Sequence, residues 1–423
     1  MKKILFPFGK THLEYEFDDK LSAVLTSSIE EYIPKADPDT LVKNALANPV
    51  GSEKLSELCR GKEKIVIIAS DHTRPVPSKV IIPYMLSEIR EGNPDADVTI
   101  LIATGCHRGT TKQELIDKFG EEIVENEKIY IHDCDEKEML VNIGILPSGG
   151  QCEVNKLAVE ADLLVSEGFI EPHFFAGFSG GRKSVLPGVA GRTTVLANHC
   201  SEFIAHSNAR TGILEDNPIH NDMLWAANKA KLTFIVNVVL NAKKEPIYAV
   251  AGDLEKAHKK GTDFISKLCA VKAVPADIVI TTNGGYPLDQ NVYQSVKGMT
   301  AAEATVKQGG VIIMIAKCND GTGGDHFYRQ MAEEADINKT MEKINSRLRN
   351  ETLPDQWMTQ ILIRILNRAS VIYVSECDTQ IIEKMHMIPA TTLDEAMELA
   401  KKLVNKENYT ITAIPDGVSV VVK

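Results

Sequence analysis

Seven short apolar runs rich in β-branched residues punctuate the chain: residues 64–70 (KIVIIAS), 98–105 (VTILIATG), 161–170 (ADLLVSEGFI), 232–240 (LTFIVNVVL), 276–285 (ADIVITTNGG), 309–317 (GGVIIMIAK) and 369–376 (ASVIYVSE). They are spaced too widely for hairpins. Between most of them lie charged stretches with helical spacing, such as KQELIDKFGEEIVENEK and LEKAHKKGTDFISKL. Strands alternating with helices predict an α/β fold with mostly parallel sheets. Runs that are continuously apolar, not alternating, predict sheets covered on both faces. The segment KAVPAD (272–277) reads as a boundary between two α/β domains. Residues 1–272 form the expected N-terminal domain and 273–407 the C-terminal one, with 408–423 returning to pair with the first. The tail YTITAIPDGVSVVVK reads as two strands around a Pro-Asp-Gly turn. The active site is expected in the cleft between the domains.

Composition narrows this picture. At 423 residues and 43% hydrophobic, the chain can bury a large core, and disorder is excluded. Acidic residues outnumber basic ones 58 to 47, a net charge of −11, which disfavours nucleic acid or an anionic membrane as partner. A local Arg/Lys/His cluster can still accept an anionic substrate. No apolar run approaches the roughly 20 residues of a membrane helix. The N-terminus, MKKILFPFGKTHLEYEF, reads as a first strand pair and not a secretion signal. The eight cysteines form no CxxC pair, so zinc-ribbon and thioredoxin-type sites are not expected, and the thiols read as unpaired cytoplasmic ones.

Four of the apolar runs end in unusual polar sequence, where ligands sit in open parallel sheets. After residue 70 comes Asp71-His72-Thr73-Arg74-Pro75. Arg74 can grip a carboxylate and Asp71 can orient a hydroxyl or cation, or Asp71 and Pro75 can simply start a helix. His107 beside Arg108 is an acid/base candidate, or a surface loop histidine. Residues 171–191, EPHFFAGFSGGRKSVLPGVAG, combine His173, Phe174, Phe175, a glycine-rich turn and Lys183. On an extended segment Phe174 and Phe175 would point opposite ways, one into the core and one toward the site. The loop GFSGGRKS, with Gly180 and Gly181, looks like a phosphate cradle. It fails the Walker A pattern because Arg182 takes the place of the second glycine. Lys183 remains as a cation or a nucleophile for a covalent cofactor link. His199 beside Cys200 suggests a metal, but one histidine is not a metal site, so other ligands must come from a cofactor or distant segments. Tyr293 and Lys297 share a helical face with Gln294 between them, able to hold a small oxygenated acid or to be a solvated helix start. Trp357, one of two tryptophans, reads by default as core.

With these residues in place, the chain resembles the nickel-dependent lactate racemase family, which uses the nickel-pincer nucleotide. The resemblance runs essentially end to end, through SDHTRPVPS, ATGCHR, SEGFIEPHFFAGFSGGRKSVLPG, ANH, TNGGYPLDQNVYQSVKGMTAAEAT and PDQW. It implies that Lys183 holds the cofactor, a pyridinium-3-thioamide-5-thiocarboxylic acid mononucleotide, covalently. The cofactor would supply two sulfurs and a carbon to nickel, and His199 the remaining ligand. Phe175 would stack on the pyridinium. His107 and His173 would be the acid/base pair. Arg74, Gln294 and Lys297 would fix the substrate, with Asp71, Tyr293 and Trp357 in support.

The same resemblance implies a small 2-hydroxy acid substrate, lactate first, and maturation proteins as partners. C2–H of lactate is too weakly acidic for a side-chain base, so the family's chemistry is a hydride route through bound pyruvate, with one histidine for the hydroxyl proton of each enantiomer. Other 2-hydroxy acids, such as malate or a longer-chain acid, are the nearest rival substrates. A kinase-like nucleotide-binding protein is disfavoured by the missing Walker glycine. A nickel carrier is disfavoured because the eleven histidines are dispersed.

Overall fold

The computed structural model describes residues 2–423. In chain order its strands are β1 (Lys2–Phe8), β2 (Thr11–Phe17), β3 (Leu21–Val24), β4 (Lys64–Ser70), β5 (Asp97–Ala103), β6 (Lys128–Ile131), β7 (Leu140–Ile145), β8 (Gln151–Asn155), β9 (Leu163–Phe169), β10 (Pro172–His173), β11 (Gly177–Phe178), β12 (Leu232–Leu240), β13 (Pro246–Asp253), β14 (Ala270–Val271), β15 (Ala276–Thr282), β16 (Val306–Ile315), β17 (Ala369–Val374), β18 (Ile388–Ala390), β19 (Ile411–Ile414) and β20 (Val421–Val422). All seven apolar runs are strands, and the protein is α/β with mostly parallel sheets.

The chain forms two compact units. The central unit comprises Ile29–His199 and His206–Leu268. Its six-stranded sheet has the order β13-β12-β9-β4-β5-β6, parallel except for β13. Every residue of β9 is buried, as expected for a strand covered on both faces. The helix Ser78–Gly92 packs on one face through Ile81, Met85 and Ile89, spaced by one helical turn, against Ile65, Ile67 and Val165. In the parallel register Ser70 of β4 lies beside Ala103 of β5, and Ile68 beside Ser166 of β9. The segments that leave β4, β5 and β9 therefore start side by side at one edge of the sheet.

The terminal unit comprises the chain up to Ser28, Cys200–Ala205 and Cys269–Lys423. Its sheet, β18-β17-β16-β15-β19-β3, is parallel throughout. Its core joins Ile278, Ile280, Val311 and Ile313 to Phe6 and Phe17 of the hairpin β1–β2.

The segment 408–423 does pair with residues of 1–272, β19 with β3 and β20 with β14, but those partners belong to the terminal unit, where β19 also pairs with β15. The first 28 residues go with it, because β3 completes the edge beyond β19. The tail does form two strands around Pro415-Asp416-Gly417, β19 and β20, which pair with different strands, both parallel. No helix of the described residues is long and apolar enough to cross a membrane.

Candidate active site

The turn after β4 is built around Asp71, 1% exposed. Its Oδ1 accepts from Thr73 N at 3.2 Å and Thr73 Oγ1 at 2.7 Å, closing an Asx turn. Asp71 is not a helix cap, because the following helix begins only at Ser78. Its Oδ2 lies 2.8 Å from His107 Nδ1, from the turn after β5. Burial pushes the Asp71 carboxyl up, but hydrogen bonds from His107 and Thr73 and the charges of His107 and Arg74 outweigh it and hold the group below its ordinary range. An ionised carboxylate requires the proton on His107 Nδ1, which places the lone pair of the neutral ring on Nε2. The His107 side chain is 41% exposed. Arg74, exposed, donates to Thr73 Oγ1 at 3.1 Å. Arg108 is drawn elsewhere: it pairs with Glu114, which also closes the capping box of helix Lys112–Phe119 with Thr111.

The segment after β9 folds back as the short hairpin β10–β11. His173 Nδ1 accepts from Ala176 N at 3.2 Å, so in the neutral ring the proton sits on Nε2. The ring of Phe175 is the hub of a cluster. Its centroid lies 4.5 Å from that of His173 and 5.2 Å from that of His199, both edge-on, and Lys183 Nζ sits 5.9 Å above it. Phe174 stacks on His173 at 5.0 Å and closes a triangle of rings with Phe175. The expectation that the two phenylalanines diverge does not hold. They occupy the hairpin turn and not an extended strand, both are buried, and their rings are 4.5 Å apart.

The glycine-rich loop also differs from a phosphate cradle. Gly180 and Gly181 have φ of 76° and 54° and face the protein: a Cβ would come 2.7 Å from Asn237 Oδ1 at the first and 2.8 Å from His258 Cδ2 at the second. Gly181 N donates to Asn237 Oδ1 at 2.9 Å. These glycines permit close packing of the loop on β12 and on helix Leu254–Cys269. Arg182, 1% exposed, braces the loop from below. It donates to Ala176 O at 2.7 Å, Gly180 O at 3.2 Å and Ser179 O at 3.4 Å, while its Nε has no partner. Burial pulls Arg182 down to about 9, still a cation at neutral pH. The loop thus presents Lys183, half-buried, on a rigid backbone.

His199 ends the helix Arg192–Asn198 and is 6% exposed. Its Nδ1 lies 2.9 Å from Val195 O, and since a carbonyl can only accept, Nδ1 carries the proton and Nε2 the lone pair. Burial first, then the charge of Lys183, lowers its pKa to about 3, so the ring is neutral. A neutral imidazole oriented through Nδ1 is the form that ligates metals.

In the terminal unit, helix Val292–Glu303 carries Tyr293, Gln294 and Lys297, with Asn291 capping it through Gln294 N. Lys297 Nζ donates to Gln294 Oε1 at 2.6 Å. Trp357 is half-buried, not core, and its indole N–H donates to Tyr293 OH at 3.2 Å. The four residues thus meet as two hydrogen-bonded pairs.

Sequence reasoning missed several partners. Thr73 holds Asp71, Arg182 braces the loop, and buried Glu167 of β9 accepts from Ser70 N and Ser78 Oγ beneath the Asp71 turn. A signal existed for two of them. Glu167 is the one acid within an otherwise apolar and small-residue strand, and Arg182 stood out as the residue that broke the Walker pattern.

Comparison with known proteins bears on these arrangements. The lactate racemase N-terminal domain family matches residues 8–212, and the lactate racemase C-terminal domain family matches residues 271–422. A curated lactate racemase of Thermoanaerobacterium thermosaccharolyticum is 56% identical over 425 residues, covering 100% of both chains. One of Lactiplantibacillus plantarum is 52% identical over the same span and coverage. The solved structure of the lactate racemase apoprotein from T. thermosaccharolyticum superposes with a TM-score of 0.96 at 55% identity, covering 100% of each chain. A Thermotoga maritima protein of 20% identity shares the fold, with a TM-score of 0.65 over 93% of this chain and 100% of its own. The chain belongs to the lactate racemase family, and it is an isomerase of the racemase type.

Proposed function

We propose that this protein interconverts D- and L-lactate, using nickel and the nickel-pincer nucleotide held on Lys183. The observation that carries the reading is the Phe175-centred cluster, in which an acid/base imidazole (His173), an amine (Lys183) and a neutral, oriented imidazole (His199) surround one aromatic ring. The donor set fits the group. His199 Nε2 has the lone pair a borderline metal takes, Lys183 Nζ is the amine for a covalent thioamide-type link, and Phe175 offers its ring to a flat cation. When bound, the cofactor supplies reversible acceptance of the C2 hydride.

The chain's own residues supply the rest. His107, with Nδ1–H directed at Asp71, accepts the hydroxyl proton at Nε2. His173, with Nδ1 accepting from Ala176 N, presents Nε2–H to the substrate oxygen. The two imidazoles therefore rest in opposite tautomers. His107 is ready to accept at Nε2, and His173 becomes the donor once its Nδ1 gains a proton in place of the Ala176 contact, the imidazolium returning to a neutral ring on donation. The roles exchange when the opposite enantiomer binds. Arg74 would grip the substrate carboxylate, with Gln294 and Lys297 holding the substrate oxygens and Tyr293 and Trp357 supporting that pair. Maturation proteins would make and deliver the cofactor.

The test is a chiral assay of protein co-expressed with its maturation system. Either lactate enantiomer should relax to an equal mixture without any added electron acceptor. Turnover of malate or a longer 2-hydroxy acid with lactate inert would move the substrate assignment. Inactivity toward the whole panel, at full cofactor occupancy, would overturn it.

A further inference from the structure

Beside His107 lies a second chemical feature that racemisation does not use. Strands β5 and β6 run parallel with Ile102 opposite Ile131, and the segments leaving them stay in step: His132 N donates to Ile102 O at 3.1 Å and Thr104 Oγ1 to His132 O at 2.5 Å. Two residues farther along each segment stand Cys106 and Cys134, close enough for the Cys106 sulfur to raise the proton affinity of Cys134. Both line a cavity of about 490 Å³ together with His107, Asp133, Asp135 and Arg192. Cys106 is exposed and Cys134 buried.

The electrostatics make the two sulfurs unequal. The neighbouring Cys106 sulfur, then burial, pushes the Cys134 thiol up, so Cys134 keeps its proton. Arg192, held on Asp135 at 2.8 and 2.6 Å, is close enough for its charge to interact with both sulfurs. A neighbouring guanidinium favours a thiolate, and the exposed partner is the one that can use it. A metal ion suits the place less well. Donor atoms of Asp133, Cys134 and Asp135 do lie within 4.8 Å of one another, but Asp135 is already taken by Arg192, whose charge opposes a second cation.

We propose that Cys106 and Cys134 are a reversible dithiol–disulfide site that takes up oxidising equivalents from low-molecular-weight disulfides and stills His107 when oxidised. The Cys106 thiolate attacks one sulfur of the small disulfide, forming a mixed disulfide and expelling one thiolate. Cys134 then loses its proton and attacks the Cys106 sulfur, forming the Cys106–Cys134 bond and expelling the second thiolate. The protein loses two electrons and the one proton of Cys134, and the small disulfide leaves as one thiol and one thiolate. A disulfide confines the two Cβ atoms to about 3.8 Å. The bond would tie residue 106 to residue 134, and through it the adjacent His107 would be held away from its contact with Asp71.

The effect on turnover rests on the acid/base role of His107 proposed above, whereas bond formation does not. The test therefore reads both. Full-length, cofactor-loaded protein is treated with oxidised glutathione, and peptides are mapped by mass under non-reducing conditions. The expected products are a Cys106–Cys134 cross-link in the wild type, a glutathione adduct arrested on Cys106 in Cys134→Ser, and no adduct on Cys134 in Cys106→Ser. Racemisation should fall at least about tenfold on oxidation, since a positioned acid/base contributes roughly a hundredfold or more. It should return with dithiothreitol and be insensitive in Cys106→Ser. Reduced Cys106 and Cys134 after treatment that oxidises other thiols would overturn the site. A cross-link with undiminished turnover would overturn its effect on His107.

Discussion

Asp71→Asn isolates the carboxylate behind His107. Both hydrogen bonds from Thr73 go to Oδ1, so the substituted amide keeps its oxygen there and turns its NH₂ toward His107. Nδ1 of His107 must then accept, the ring takes the Nε2–H tautomer, and the base is lost without any change of shape. The pair is 2.8 Å apart, worth about 6 kcal/mol at an effective dielectric of ~20 and about 1.5 kcal/mol in water. With the His107 side chain 41% exposed, the value lies toward the lower figure. A barrier increase of about 2–4 kcal/mol, or roughly 30- to 900-fold in kcat, is the expected result. KM should change little, because Asp71 itself is buried beneath the histidine. The assay is the initial rate of D-lactate formation from L-lactate, with variant and wild type matched for cofactor occupancy by intact mass. An unchanged kcat, or a loss confined to KM, would refute the coupling of Asp71 to proton transfer.

Other substitutions probe separate links. Lys183→Ala should fold normally and carry no covalent cofactor, and an adduct retained in the intact-protein mass would remove Lys183 as the anchor. Arg182→Met removes the donors to the carbonyls of residues 176, 179 and 180 and should destabilise the apoprotein by about 2–4 kcal/mol in denaturant titration; a change below about 0.5 kcal/mol would show that the brace is dispensable. Glu167 is raised above its ordinary pKa by burial, so the folded state holds its proton more tightly than the unfolded chain. The stability of that protonated form is complete below the unfolded value of about 4.3 and is lost as pH rises through the folded pKa. Glu167→Gln should therefore gain on wild type as pH climbs above about 4.3, and a gap constant with pH would contradict the assignment.

What was legible in the sequence follows physical lines. Strands β4, β9, β12 and β15 could be read because a strand buried on both faces must be apolar throughout, a demand that leaves a mark at every position. Short β3 and β18 carry no such signal, and the pairing of β19 with β3 joins segments from opposite ends of the chain, which no local pattern encodes. The site was legible as a set of polar strand ends. Its residue types announce their chemistry, but their partners do not. Whether Nδ1 of His107 faces Asp71, or Gly181 faces His258 and not a phosphate, depends on how separate turns meet. Phe174 shows the same limit: alternation along a strand fails where two residues occupy a hairpin turn.

The central claim is racemisation of lactate by internal return of the same hydride. Cofactor-loaded protein incubated with L-lactate in deuterium oxide tests it most directly, with the enantiomers separated and their C2 positions examined by mass. The account requires D-lactate to accumulate to an equal mixture with protium retained at C2. Solvent deuterium at C2 of the D-lactate formed, or no D-lactate at all from fully loaded protein, would contradict it.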